Sequence, residues 1–251
     1  MQNGVHIISR MPSAPRSQAP TGSSFAWIGA GLFAASLGWF VFSYFVRFPA
    51  LTPGGTAADA VAWDVALFTV FALHHSLFAR DAVRVRIERL FPGRERPVFV
   101  WVASLVFAAI CAAWQGAPGV IWHAGGVAAW GFYLARAAGV VLTLRAAAIL
   151  DIWELAGTRP PRHAPGVQGG AAAFTRRGPY GWVRHPIYSG WFLVVFSVPA
   201  MTTTQLVFAV VSCAYLVVGM VFEERSLIAA APEAYREYQR NVRWRVIPGL
   251  Y

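Results

Sequence analysis

Residues 178–224 read GPYGWVRHPIYSGWFLVVFSVPAMTTTQLVFAVVSCAYLVVGMVFEE, and the way they divide decides the fold. Two apolar runs, Pro186 to Met201 and Gln205 to Phe222, are joined by Thr202-Thr203-Thr204. Each is close to the ~20 residues that span a hydrocarbon core, and short enough to sit tilted or partly sunken. Such a pair predicts an antiparallel helical hairpin in a membrane. In that hairpin the start of the first helix lies beside the end of the second, so Glu223 and Glu224 return to the level of Arg184, His185 and Tyr188.

Pro186 suits the first turn of a helix, which places Arg184 and His185 at its N-terminus. Free N–H groups and the positive end of the helix dipole make that position receptive to an anion such as a carboxylate. Tyr188 follows three residues after His185 on the same face, and Gly190 permits close approach of a backbone or ligand. Two readings fit a cation, an imidazole, tyrosines and two carboxylates at one level. They form a ligand site, or they are interfacial anchors with Arg–Glu pairs. Convergence of costly groups at one point favours the ligand site.

Working outward, composition agrees with a membrane protein. The 251 residues are 57% hydrophobic and 13% charged, with a mean hydropathy of +0.50; a soluble domain carries roughly 25% charged residues. Further apolar blocks run from Phe25 to Val46, Ala60 to Ala79, Val98 to Gln115 and Ile121 to about Leu144. The first is too long for a signal-peptide core and reads as a retained helix. Residues 1–23, rich in Pro, Ser, Ala and Gly, read as a disordered tail preceding a single integral-membrane domain over 24–250. The expected fold class is an all-α transmembrane bundle of about six helices, the last two a short hairpin.

The net charge of +10 comes from 21 arginines without a lysine. They cluster between the second and third blocks, between the fourth and fifth, and in the tail, whereas the alternate loops hold almost none besides Arg47. Six helices with both termini cytoplasmic, in a bacterial-type inner membrane, satisfy that distribution, and the charge is read as contact with membrane lipids instead of nucleic acid. Arg225 to Val242 has apolar residues at helical spacing and predicts an amphipathic helix at the membrane surface, with Pro232 opening a fresh segment. Cys111 and Cys213 lie inside apolar blocks and suggest neither a disulfide framework nor a metal site.

Other polar groups fall inside the membrane blocks. Asp64 and His75, about three turns apart, share a face of the second helix, while His74 points elsewhere. Arg136 could pair with Asp64. Two readings remain open for Asp64 and His75: an interhelical polar clamp, or groups near a substrate.

Gly178-Pro179-Tyr180, Val183-Arg184-His185-Pro186, Tyr188 and Gly190, then Glu223-Glu224, Leu227, Tyr235, Tyr238 and Pro248, resemble the C-terminal signature of membrane methyltransferases. These include the isoprenylcysteine carboxyl methyltransferases and phospholipid methyltransferases, and the match covers roughly residues 175–250. His75-Ser76-Leu77-Phe78-Ala79-Arg80, Trp153-Glu154-Leu155-Ala156-Gly157 and Pro199-Ala200-Met201-Thr202 are similar to bacterial methanethiol S-methyltransferase and NnrU-like membrane proteins. The resemblance implies S-adenosylmethionine as cofactor, with Tyr180, His185, Pro186 and Tyr188 lining its pocket and Glu223 closing it. Arg184 and the helix N-terminus suit its carboxylate, and Glu223 or Glu224 suits its ammonium or ribose hydroxyls. His185 is the candidate general base, with a structural or cofactor-binding role equally open. His75 and Asp64 are the candidate substrate residues, and a small thiol or other lipophilic molecule is the expected acceptor. One departure matters: prenylcysteine enzymes carry an arginine for the substrate carboxylate one turn before the Glu, where this chain has Gly219. Rival readings are a membrane haem protein and a non-catalytic or transport factor linked to nitrogen-oxide metabolism.

Overall fold

A computed structural model describes residues 24–78, 80–150, 153, 156–158 and 174–251. The readings of residues 1–23 and of Glu154-Leu155 lie outside the described residues. The first span, Ser24–Ala50, is α1 (Ser24–Phe42) continued by a π-helical turn, Ser43–Arg47, and a final short turn, Phe48–Ala50. After it come α2 (Ala57–Phe78), α3 (Asp81–Leu90), α4 (Glu95–Ala113) and α5 (Gly126–Ile149). The hairpin is α6 (Pro186–Phe196) and α7 (Thr203–Ala230), followed by α8 (Pro232–Asn241). Five helices are long and apolar enough to cross a membrane, and α6 is a shorter apolar one. The chain is a multi-pass helical membrane protein.

Several boundaries differ from the sequence pattern, each for a local reason. The run from Pro186 is helical only to Phe196, because Pro199 removes a donor and restricts Val198 before it. Ala200–Thr202 instead forms strand β2, antiparallel to strand β1, Val120–His123. The fourth apolar block therefore opens as a strand, and α5 starts only at Gly126, whose φ of 56° suits glycine. Thr202 caps α7 through a capping box with Gln205. That helix runs on past Glu224 to Ala230, so the expected amphipathic segment is divided at Pro232 and only α8 is separate. Its Tyr235 and Tyr238 pack with Phe174, Leu227 and Ile228, facing the protein instead of the lipid surface. The arginine-rich stretch after α2 folds as α3, which periodicity had not marked.

Buried aromatics hold the bundle together. Phe208 of α7 is fully buried among Phe40, Tyr44, Phe48, Phe68 and Trp114, at centroid distances of 5.0–5.9 Å. Polar groups tie the broken elements. Tyr44 Oη donates to Val195 O at 2.5 Å, Gln205 Nε2 donates to Tyr44 O at 2.9 Å, and the Arg47 guanidinium donates to the carbonyls of Cys111 and Ala112.

The position of α6 is set by its crossing with α5. A Cβ on Gly190 would lie 2.7 Å from Gly139 O and clash with Thr143 Oγ1, and one on Gly139 would lie 2.7 Å from Leu193 Cβ. Small residues at membrane crossings let backbones touch in this way. Gly190→Val is therefore expected to lower stability by ~1–3 kcal/mol, the range for overpacking. Thermal unfolding in detergent would show it, and Gly131→Ala, into open space on α5, should leave the transition unchanged.

Candidate active site

The turn before α6 is short. Gly178 has φ 54°, and a Cβ on Gly181 would stand 2.8 Å from Arg176 O. Gly178–Gly181 forms a single 3₁₀ turn that buries Tyr180. Backbone N–H groups of Arg184 and His185 then donate to Trp244 O and Arg245 O, both at 2.9 Å, and Ser189 Oγ donates to Val246 O at 2.6 Å. The segment after α8 thus lies along the entrance to α6. Tyr238 Oη donates to Tyr180 O at 2.8 Å from the other side.

Glu224 is the centre of this arrangement. Its side chain is 3% exposed and accepts from Arg184 Nε at 2.7 Å, Arg245 Nε at 3.1 Å and Gln239 Nε2 at 3.4 Å. His185 Nε2 lies 3.2 Å from Glu224 Oε1; a carboxylate can only accept, so Nε2 is the donor. Arg184 Nη1 also donates to Val242 O at 2.8 Å and Arg243 O at 2.6 Å. Nε, Nη1 and the backbone N–H of Arg184 therefore have protein partners. Arg184 acts as a staple between α6, α7 and the C-terminal segment.

Glu223 is the opposite case. Its side chain is 47% exposed, accepts from Tyr188 Oη at 3.0 Å, and lies 3.8 Å from His185 Nδ1. His185 and Tyr188 stack with rings 5.3 Å apart and 1° from parallel. So the structure brings Tyr180, Arg184, His185, Pro186, Tyr188, Glu223 and Glu224 together, and divides their roles: Glu224 is saturated, Glu223 is open. Burial raises the pKa of Tyr180, with Tyr238 and Glu223 adding to it, and pushes Tyr238 up to about 12 against the opposing charge of Arg184.

The second group of sequence-predicted residues separates. Asp64 is buried and its Oδ1 accepts from Gln115 N at 2.9 Å, clamping α2 to the chain beyond α4. Arg136 does not pair with it. That guanidinium donates through Nε to Ser197 O at 3.0 Å, where α6 breaks, and lies 4.2 Å from the Phe45 centroid. His75 faces the hairpin instead, its ring 6.2 Å from Tyr215 of α7 and 5.2 Å from Phe99 of α4. His74 turns the other way, into a groove of about 420 Å³ lined by Val70, Leu73, Leu77, Phe78 and Val83. Arg245, Gln239 and Tyr215 escaped sequence reasoning. Arg245 read as one more positive-inside arginine, and Tyr215 as one more apolar residue of a span.

A bundle of membrane helices with ionisable groups converging at the mouth of a hairpin defines a membrane enzyme class, and the comparisons specify it. No protein-family model and no solved structure matches the chain. It is 30% identical over 195 residues to methanethiol S-methyltransferase 2 of Bradyrhizobium diazoefficiens, covering 77% of this chain and 75% of that one. It is 34% identical over 193 residues to methanethiol S-methyltransferase of Mycobacterium tuberculosis, covering 73% and 77%. Nurim of Rattus norvegicus is 26% identical over 192 residues, 72% of each. The chain belongs to the methanethiol S-methyltransferase family of membrane methyltransferases.

Removing Glu224 would leave Arg184 and Arg245 without their anion. Breaking a buried pair costs ~3–5 kcal/mol, so Glu224→Ala is expected to lower the unfolding temperature sharply in detergent. Glu223→Gln, at a half-exposed carboxylate, should leave it within the scatter of the parent.

Proposed function

We propose that this chain transfers a methyl group from S-adenosylmethionine to a small, neutral thiol of the methanethiol type. The observation that carries the reading is the asymmetry of the two glutamates. One is buried by its own protein partners, and its neighbour is held open between a tyrosine and a histidine. When bound, the cofactor supplies a methyl carbon activated by a positively charged sulfur.

The residues present fit such a molecule. Glu223 is a carboxylate free to take an ammonium or a ribose diol. The faces of Tyr180 and Tyr188 suit a sulfonium. Arg184 and Arg245, both on Glu224, and the positive end of the α6 dipole lie on the side suited to the cofactor's carboxylate. Pro186 sets the helix start on which these groups are mounted. Arg184 contributes as a charge and a staple, and Glu224 as the anchor that orients His185.

With Nε2 donating to Glu224, the lone pair of neutral His185 is at Nδ1, on the Glu223 side. His185 Nδ1 would take the acceptor's S–H proton, leaving a thiolate to receive the methyl group that the bound cofactor would supply. Thiolates are the nucleophilic form, so a base that removes the proton at neutral pH assists. Positioning and exclusion of water supply the remainder. Gly219, where prenylcysteine enzymes carry a cation, favours a neutral acceptor. The arginine-flanked end holding the site is assigned to the cytoplasm, with both termini there and the protein in the cell membrane.

The test incubates purified protein with labelled S-adenosylmethionine and a panel of thiols, prenylcysteines and phospholipids. Methanethiol is expected to give dimethyl sulfide, and Glu223→Gln to weaken cofactor affinity about tenfold, the loss of ~1.4 kcal/mol from one charge-assisted hydrogen bond. Absence of cofactor binding together with absence of any methylated product would refute the proposal.

A further inference from the structure

Three residues of α7 at four-residue intervals, Tyr215, Gly219 and Glu223, fall on one face of the helix. The two outer ones show what that face meets. Glu223 reaches Tyr188 on α6 at 3.0 Å. Tyr215 meets His75 on α2 edge-on at 6.2 Å and Phe71 at 6.2 Å. The face therefore runs from Tyr188 of α6 at one end to Phe71 and His75 of α2 at the other.

The middle of the face is bare. A Cβ on Gly219 would have no atom within 4 Å. Eight residues of helix separate Tyr215 from Glu223, a rise of ~12 Å, and the open space at Gly219 lies midway between them. His75 and Glu223 are both exposed on this side. The α2 end of the face is aromatic. Phe71, His75 and Tyr215 form it, and Phe99, 5.2 Å from His75 and carrying the Arg96 guanidinium at 5.4 Å, closes one side. Ser76 stands beside the Tyr215 hydroxyl.

We infer that the space over Gly219 is the acceptor chamber and that Tyr215, backed by His75 and Phe71, is the end wall limiting acceptor length. The inference rests on the methyltransferase reading and deepens it. Aromatic edges are favourable neighbours for sulfur and methyl groups. The space thus admits a thiol with a short apolar substituent and rejects long ones. Its size comes from an absent side chain at Gly219 and a large one at Tyr215.

The experiment measures kcat/KM for methanethiol, ethanethiol, propanethiol and butanethiol with labelled S-adenosylmethionine, in the parent and two variants. Tyr215→Ala removes the wall and should raise the butanethiol-to-methanethiol ratio at least about tenfold, the scale on which pockets discriminate methylenes. Gly219→Leu fills the space and should raise the KM for methanethiol by about tenfold or more, with cofactor Kd measured without thiol staying within about twofold. An unchanged chain-length profile in Tyr215→Ala and an unchanged KM in Gly219→Leu, with the parent active on thiols, would overturn this inference alone. So would loss of cofactor affinity in Gly219→Leu, which would give the space to the cofactor. A parent that methylates no thiol overturns the functional reading as well.

Discussion

One buried carboxylate organises the end of the hairpin where the candidate site lies. Glu224 receives Arg184 from the start of α6, Arg245 from the segment after α8, and His185 between them. Two separate stretches of chain therefore meet α7 at two oxygen atoms. Such a cluster adds little net stability, because desolvating the charges offsets most of the attraction. Its effect is geometric. It fixes the level of α6 against α7, and orients an imidazole whose other nitrogen remains available. Adjacent residues on a helix point about 100° apart, so anchoring Glu224 inward turns Glu223 outward. The open glutamate depends on the closed one.

This explains which parts of the site were legible in the chain. The return of Glu223 and Glu224 to the level of Tyr188 follows from hairpin geometry, which needs only two apolar runs of similar length and a short turn. The distinction between the glutamates does not follow. It is set by Arg245, 21 residues beyond Glu224 and joined to it only by tertiary structure. An arginine at a membrane boundary is expected on electrostatic grounds alone, so nothing local marks Arg245 as a ligand of a buried carboxylate. The same logic holds for Arg184, since spacing reveals proximity to a helix start but not the hydrogen bonds it makes to another segment's carbonyls.

Fold boundaries were legible to the extent that polarity changes at them. The long apolar blocks became helices because lipid requires every backbone group to be satisfied internally. Where apolar residues continue but the backbone breaks, composition is silent. Ser197 to Thr202 and Val120 to His123 are apolar enough to extend their helices, yet Pro199 and the Gly125-Gly126 pair divert them into a two-stranded sheet. Arg136 and Trp122 then serve that break, donating to Ser197 O and Val198 O. A charged residue deep in an apolar block can thus answer a backbone defect on another element, and Arg136 was read toward Asp64 only because the defect was invisible.

A rule for polar groups within membrane helices follows from these cases. Tyr44, Arg47, Asp64, Gln205 and Arg136 each satisfy a backbone group left unpaired by a break or a helix end. Their presence is explained by architecture and calls for no ligand. Glu223 and His75 differ, since no backbone group is their partner among the described residues. The first bonds a tyrosine of α6, and the second contacts only rings. His74, whose two buried ring nitrogens also lack a hydrogen-bond partner, turns the other way into an apolar groove, whereas Glu223 and His75 lie along α7. They sit at opposite ends of the bare stretch over Gly219.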